Sequence, residues 1–399
     1  MNIDFEPQTE DDAAAIVRAA AQRSARLRIQ GGGTRGICAA IEADAVLSTR
    51  KLSGIVSYNP AEMTMSALAG TPASEIEVKL AEHRQMLAFE PMDPRGLSGA
   101  TGEPTIGGVF ATNSSGPRRL SAGAARDHLL GLRFVNGEGI VIKSGGRVMK
   151  NVTGLDLVKL LAGAHGTLGL MTEVTFKVLP LPPASATIVL SSLNDAEAAG
   201  AMARVMSMPS EVSSAAHLPE SVRGRFISGR LPDGPATIFR LEGLPATVSA
   251  RAEKLTSACA VAGPVTVLED QDSRALWREV RDVKPYADGT ERALWCVSVA
   301  PTVGHQLVAA LRLETGVDAF YDWQGGRVWL RMEADPEADL VRRFIKALGG
   351  GHARLMRASS AVRAVTPAFE PETPAVSVLS ARLREKFDPK GIFNPGLMG

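Results

Sequence analysis

Glycine carries the first chemical signal in this 399-residue chain. The stretch Gln30-Gly31-Gly32-Gly33-Thr34-Arg35-Gly36 follows the short apolar strand candidate Leu27-Arg28-Ile29. Glycines packed this densely leave little Cβ bulk and free access to positive φ, so successive amides can turn inward on an anion such as a phosphate. A second band runs Thr105-Ile106-Gly107-Gly108-Val109-Phe110-Ala111-Thr112-Asn113-Ser114-Ser115-Gly116, with Gly123 and Arg126-Asp127 just after it. A third follows in His165-Gly166-Thr167-Leu168-Gly169-Leu170-Met171. The first loop standing alone would read as a tight surface turn. Three such stretches within residues 31–171 point instead to one extended ligand that includes a pyrophosphate.

A glycine loop also opens the nicotinamide-binding βαβ unit, which needs a helix directly after the glycines and an acidic residue about 20 positions on. Here Ile37 to Asp44 and Ala45 to Thr49 read as loop and strand, which disfavours that unit. The three cysteines, Cys38, Cys259 and Cys296, show no CxxC spacing, so an iron–sulfur cluster or zinc must sit on another chain. Cys38 reads as a small packing residue. None of the six histidines, His83, His128, His165, His217, His305 and His352, forms a two-histidine motif with nearby acids, and no metal is expected. His83 reads as a half-buried packing residue. His352, beside Gly350-Gly351, is a lone base candidate whose alternative is a turn histidine bonded to backbone. Arg240, Arg278, Arg281 and Arg331 are candidates to grip a carboxylate, with solvated or ion-paired surface groups as the alternative. No catalytic residue is assigned.

These residues need a scaffold of some size, and the length fits two domains, each able to bury a normal core. Hydrophobic content is 45%, and 44 Lys plus Arg balance 43 Asp plus Glu. That balance gives no footprint for nucleic acid or an anionic membrane surface. The acidic start lacks a signal-peptide core, and no apolar run of about 18 residues occurs, so the expectation is a cytoplasmic protein without an integral membrane segment. Thr9 with Asp12 marks a capping-box start for a helix reaching Arg23, and Thr71-Pro72 opens another with Ile76, Leu80 and His83 on one face. Leu132, Phe134, Asn136-Gly137, Ile140 and Ile142 signal a hairpin. Leu170, Thr172, Val174, Phe176 and Val178 alternate as one strand face.

Leu179-Pro180-Leu181-Pro182-Pro183 then breaks the pattern, dividing the chain into residues 1–180, 181–370 and a closing 371–399. Beyond the prolines, strand candidates lie near Thr187–Leu190, Thr237–Leu241, Leu294–Val299, Ala319–Trp323 and Val328–Arg331. Helices are expected over Asp195–Val205, Val248–Cys259, Ser273–Val283 and Pro336–Leu348. The simplest packing is α+β, helices on a mostly antiparallel sheet. A last helix from Thr373-Pro374 puts Val376, Leu379 and Leu383 on one face, and the tail Phe387 to Gly396 carries two aromatic anchors that dock it on the body.

The same stretches resemble the vanillyl-alcohol oxidase and p-cresol methylhydroxylase family of flavoproteins, and within it the smaller FAD-binding subunits of bacterial glycolate oxidases. The resemblance spans nearly the whole chain. It includes Ala69-Gly70-Thr71-Pro72, Ser115-Gly116-Pro117-Arg118-Arg119, Arg147-Val148-Met149-Lys150-Asn151-Val152-Thr153-Gly154 and Phe393-Asn394-Pro395-Gly396. It implies a PCMH-type FAD-binding domain of two α+β subdomains over 1–180, an α+β cap over 181–370, and a C-terminal helix and tail returning to the FAD domain. Residue by residue, the resemblance implies that Gly31, Gly32, Gly33, Thr34, Arg35 and Gly36 hold the pyrophosphate and that Asp93 sits near the flavin. Thr105, Gly107, Gly108, Thr112, Asn113 and Gly116 would line the flavin and its ribityl chain. Arg126, Asp127, Gly166, Thr167, Gly169, Leu170 and Met171 would hold the remaining FAD surface, and Asn394 would return near the ring. No histidine falls between residues 1 and 82, so the FAD is expected to be non-covalent.

The resemblance implies a flavin subunit of a glycolate or D-lactate oxidising complex, with a larger flavin subunit and an iron–sulfur subunit as partners. Any membrane association would come through those partners. The missing histidine motif leaves a second reading open, a non-catalytic flavoprotein scaffold or electron relay beside the larger subunit. A lone reductase of the UDP-N-acetylmuramate type is a third and weaker reading.

Overall fold

The computed structural model describes residues 3–35, 41–146 and 155–398. Gly36, Cys38 and the stretch 147–154 lie outside them. Two compact units emerge. The first comprises residues 1–115, 123–181 and 371–399, and the second residues 116–122 and 182–370.

In the first unit a small parallel sheet, ordered Ile3–Phe5, Ala45–Ser48, Leu27–Gln30, stands beside a five-stranded antiparallel sheet. The larger sheet runs Ile55–Asn59, Thr64–Leu68, Leu170–Lys177, Leu129–Val135, Val141–Gly145. Helix Glu10–Arg23 begins as its sequence demands. Thr9 Oγ1 accepts from the Asp12 amide at 3.1 Å, and Asp12 accepts from the Thr9 amide at 3.0 Å. Glu10 in its first turn then pairs with Arg133 and accepts from Thr172 Oγ1 at 2.5 Å, tying the helix to the larger sheet. Leu170–Lys177 is the central strand, with Val174 and Phe176 fully buried, and the alternating apolar face finds its core there.

The hairpin differs from the Asn-Gly expectation. Val135 pairs with Val141, leaving a five-residue loop in which Asn136 Oδ1 accepts from the amides of Glu138 and Ile140, and the positive φ falls on Gly139 at 74°. A side-chain acceptor inside the loop replaces the tight two-residue turn. His83 is exposed, beyond the buried Ile76 and Leu80, with its ring 5.4 Å from Tyr58. Helix Ala73–Ala81 ends two residues earlier, so position 83 has left its buried face.

The tail closes this unit. Leu27 donates its amide to Ile392 O at 2.7 Å, and Asn394 donates its own to Leu27 O at 2.9 Å, so Phe393 lies alongside the strand that feeds the glycine loop.

The second unit is an eight-stranded antiparallel sheet. Its order is Val265–Leu268, Ala184–Ser191, Ala236–Gly243, Ser214–Leu218, Val317–Asp322, Arg327–Met332, Leu294–Ser298, His352–Arg357. Ile188, Leu190, Phe239 and Leu241 pack under helices Asp195–Met206 and Pro245–Cys259. On the opposite face Trp277, from helix Asp270–Arg281, donates Nε1–H to Thr187 Oγ1 at 2.9 Å. Asp195 organises one corner by accepting from Tyr321 Oη at 2.6 Å and Arg312 at 2.8 Å, with His217 Nε2 at 3.3 Å.

Candidate functional site

The first unit contains an open cleft. Its floor starts at the carboxyl end of Leu27–Gln30 in the parallel sheet, the end of such strands where ligands bind. Gly31, Gly32, Gly33, Thr34 and Arg35 form one wall, and Thr105, Gly107, Gly108 and Thr112 a second. Gly166, Gly169, Leu170 and Met171 form a third, and Asn394 closes the set. Three stretches far apart in sequence therefore meet on one cavity.

Local chemistry explains how they meet. A Cβ on Gly31 would lie 2.1 Å from Thr105 Oγ1, and one on Gly32 would lie 1.8 Å from the carbonyl oxygen of Glu103. Only bare main chain lets the first loop lie this close to the segment leading into the second. Gly33 has φ +73°, in the left-handed region. The amides of Gly32, Gly33 and Thr34 meet no acceptor among the described residues, as a backbone nest for an anion requires. Thr105 N-caps helix Ile106–Ala111 by accepting from the Gly108 amide at 3.3 Å. That helix is anchored by Phe110, 5.5 Å from Phe176 of the central strand.

Arg35 braces the walls by donating to Ser114 Oγ at 2.9 Å and to Met92 O at 2.7 Å. Asn394 is the second brace. Its Oδ1 accepts from the Ile29 amide and its Nδ2 donates to His165 O, both at 2.8 Å. Asn394 itself sits at φ +41° and is 3% exposed.

Several expected residues stand elsewhere. Asp93 is held by Arg95, with Oδ2 2.8 Å from a guanidinium nitrogen, and does not line the cleft. Asn113 Oδ1 accepts from the Arg126 amide at 2.9 Å, so both serve the loop's own geometry. Asp127 accepts from the Ala124 amide at 2.8 Å, and Thr167 Oγ1 donates to Ala164 O at 2.7 Å. Gly116 belongs to the second unit, where its carbonyl accepts from Trp323 Nε1 at 2.9 Å. The rest of its Gly-Pro-Arg-Arg motif does likewise. Arg118 forms a buried ion pair with Glu242, and Arg119 lies 4.8 Å from the Trp323 ring centre. Burial raises the Glu242 pKa, but Arg240 and Arg118 outweigh it and hold the carboxyl below its ordinary value.

The cleft also uses residues that the glycine pattern did not single out. Arg28, Ile29, Thr49 and Leu161 line it, together with Ala69 of the Ala69-Gly70-Thr71-Pro72 motif. Ile29 was recoverable as the last strand residue before the glycines, whereas Thr49 and Leu161 carry no local signal.

The other candidate chemistry is dispersed in the second unit. Arg240 is buried between Glu242 and the Trp277 ring, and Arg331 pairs with Asp288 and Asp318. Arg281 pairs with Asp282, and Arg278 is exposed on its helix. His352 is exposed at the start of an edge strand, paired with Ser298, so it is a strand residue and not a turn. Among the described residues no group of three or more His, Cys, Asp or Glu could hold a metal ion. Among them also, no helix is long and apolar enough to cross a membrane.

Comparison with known proteins agrees with this geometry. A family described as an FAD binding domain matches residues 2–145. Glycolate oxidase subunit GlcE of Escherichia coli is 31% identical over 379 residues, covering 93% of this chain and 92% of that protein. Glycolate oxidase subunit GlcD of Bacillus subtilis is 30% identical over 186 residues, covering 46% of this chain and 38% of that one. A crystal structure of p-cresol methylhydroxylase with substrate bound superposes with a TM-score of 0.71 at 13% identity, covering 99% of this chain and 88% of that one. The chain thus belongs to the family of FAD-dependent oxidoreductases with the vanillyl-alcohol oxidase and p-cresol methylhydroxylase fold, the family that includes glycolate oxidase subunit GlcE.

Proposed function

We propose that this chain is the smaller FAD-binding subunit of a complex that oxidises glycolate or D-lactate to the 2-keto acid, with electrons passing to an iron–sulfur partner subunit. One observation carries the reading. The likeness to GlcE runs the length of the chain, and the three glycine stretches within it converge on a single cleft. The residues present fit FAD. The amides of Gly32, Gly33 and Thr34 suit the pyrophosphate, and the missing side chains at Gly31 and Gly32 let the first loop close on Thr105 and Glu103 to shape the cleft.

FAD supplies the two-electron acceptor that oxidation of an alcohol carbon requires. This chain's own part is to bind and orient it. Gly31 to Arg35 hold the phosphates, Thr105 to Thr112 line the middle of the cleft, and Gly166 to Met171 with Asn394 close the far wall. No covalent attachment is proposed, so the flavin dissociates on denaturation.

The placement of the histidines favours a second reading, in which the chain is a flavin-bearing relay or scaffold beside a larger catalytic flavin subunit. His165 lines the cleft with no carboxylate among the described lining residues, His217 is enclosed by Thr237 and Asp195, and His83 and His352 are exposed. Anaerobic mixing separates the two. If the purified chain with glycolate or D-lactate bleaches its oxidised-flavin absorbance, it turns over substrate itself. If it bleaches only when the larger flavin subunit is added, it is a relay. A flavin that stays oxidised in both cases would refute the proposed function.

A further inference from the structure

We propose that Arg354, beside Arg327 on one face of the second unit's sheet, anchors a binding site for a small carboxylate. The choice of 2-hydroxy and 2-keto acids as its ligands rests on the function proposed above; the site itself does not.

Cross-strand pairing places the residues. Cys296 of strand Leu294–Ser298 pairs with Trp329 on one side and Arg354 on the other, and Ser298 pairs with Arg327 and His352. Directly paired residues point to the same side of a sheet, as do residues two apart on a strand, so all six share one face. The side-chain contacts agree. Arg327 donates from Nε to Cys296 Sγ at 3.4 Å, and its guanidinium carbon lies 4.6 Å from the centres of both the Trp323 and Trp329 rings. Arg327 is 5% exposed and Trp329 1%, while Cys296 and Arg354 are half-buried, which leaves a solute access to Arg354.

Arg354 differs from its neighbours in what surrounds it. Arg331 and Arg357, further along the same two strands, are neutralised by Asp288 and Asp318. Arg354 makes no ion pair among the described residues, and the acceptor it meets among them is the Met356 thioether, 3.1 Å from Nε. Burial lowers its pKa; the Cys296 sulfur opposes that and the Arg327 charge adds to it. A half-buried charge set next to a second one, without an acid, is costly unless an anion completes it. The planar fork of a guanidinium matches a carboxylate. A phosphate fits less well, since Cys296, Met356 and the Trp329 ring offer few donors for its further oxygens.

The test is a titration of the purified full chain with its flavin, reading tryptophan fluorescence, which the rings beside Arg327 report, and the thermal midpoint. The probes are acetate and pyruvate, which cannot reduce a flavin, and glycolate and D-lactate under argon, each against chloride and sulfate at equal ionic strength. The carboxylates should bind and raise the midpoint above the salts. Arg354→Met should weaken that binding by about tenfold or more, the loss of at least one charge-assisted hydrogen bond. Without ligand this variant should be no less stable than the unaltered chain, because the charge it removes leaves no acid behind; an arginine with a merely structural role would lose stability instead. Arg354→Lys, which keeps the charge and loses the fork, should bind with intermediate affinity and keeps the test decisive if the Met variant does not fold. Carboxylates that bind no better than chloride, or as well to both variants as to the unaltered chain, would overturn the site. So would sulfate binding as tightly as the carboxylates, or an Arg354-dependent affinity confined to a partner subunit. Carboxylate binding that depends on Arg354, in a chain whose flavin stays oxidised with and without the larger flavin subunit, would uphold the site and overturn the function proposed above.

Discussion

Gly32→Ala is the smallest change that should empty the cleft. Its new Cβ would sit 1.8 Å from Glu103 O and 2.8 Å from Glu103 C. The neighbour is main chain, so no rotamer can relieve the clash. Gly102 presses back from the other side, where its own Cβ would lie 1.9 Å from Gly32 O. Reaching an ordinary contact of about 3.4 Å requires the loop to move by about 1.6 Å. A shift of that size breaks an amide–phosphate hydrogen bond. Losing one or two charge-assisted bonds at about 1.5–3 kcal/mol each raises the FAD dissociation constant by roughly 10-fold to 10,000-fold. The apoprotein should lose only about 1–3 kcal/mol of stability, the usual cost of overpacking. Flavin-fluorescence titration of apoprotein gives the affinity, and urea unfolding gives the stability. Gly200→Ala is the control. It lies in helix Asp195–Met206 with open space around it, so it should gain about 0.4–1 kcal/mol and bind FAD normally. A Gly32→Ala protein binding FAD within threefold of the unaltered chain would refute this reasoning.

Asn394→Ala removes the acceptor for the Ile29 amide and the donor to His165 O, so stability should fall by about 1–3 kcal/mol and flavin occupancy with it. Urea unfolding and flavin per chain report the two effects. Glu242→Gln leaves Arg118 and Arg240 buried without their carboxylate and should cost about 3–5 kcal/mol in urea unfolding. Burial raises the Asp195 pKa, but the His217 and Tyr321 hydrogen bonds and the Arg312 charge outweigh it and hold the group at about 2. Because the folded value is depressed below 3.8, this stabilisation is complete above about pH 4 and is lost as pH falls through about 2. Asp195→Asn should therefore lose about 2 kcal/mol at neutral pH and show a correspondingly shallower acid denaturation profile.

Much of the first unit was legible because its signals are local. The capping box at Thr9, the glycine bands and the alternation from Leu170 each have a physical cause within a few residues. What the chain did not advertise is long-range. Asn394, expected near the ring through the family resemblance alone, reaches the cleft by hydrogen bonds to Ile29 and His165 that no local pattern encodes. Asp93 and Asp127 were expected at the cofactor through the family resemblance alone, and in the structure they accept from Arg95 and the Ala124 amide. Gly-Pro-Arg-Arg sits among cofactor-type glycines, yet its arginine is spent on Glu242, a partner 124 positions away. In the second unit the unread strands Ser214–Leu218, Val265–Leu268 and His352–Arg357 are short or poor in β-branched residues, and their pairing depends on neighbours. The stripe Val376, Leu379 and Leu383 on helix Pro374–Phe387 was legible as an apolar face, but its exposure was not, since periodicity reveals a face and not what covers it.

The most direct measurement is the identity and amount of flavin released when the purified chain is denatured with acid. The convergence of three glycine stretches on one cleft predicts one FAD per chain, all of it in the supernatant. A colourless protein that takes up no FAD, or a flavin that stays with the precipitate, would contradict it.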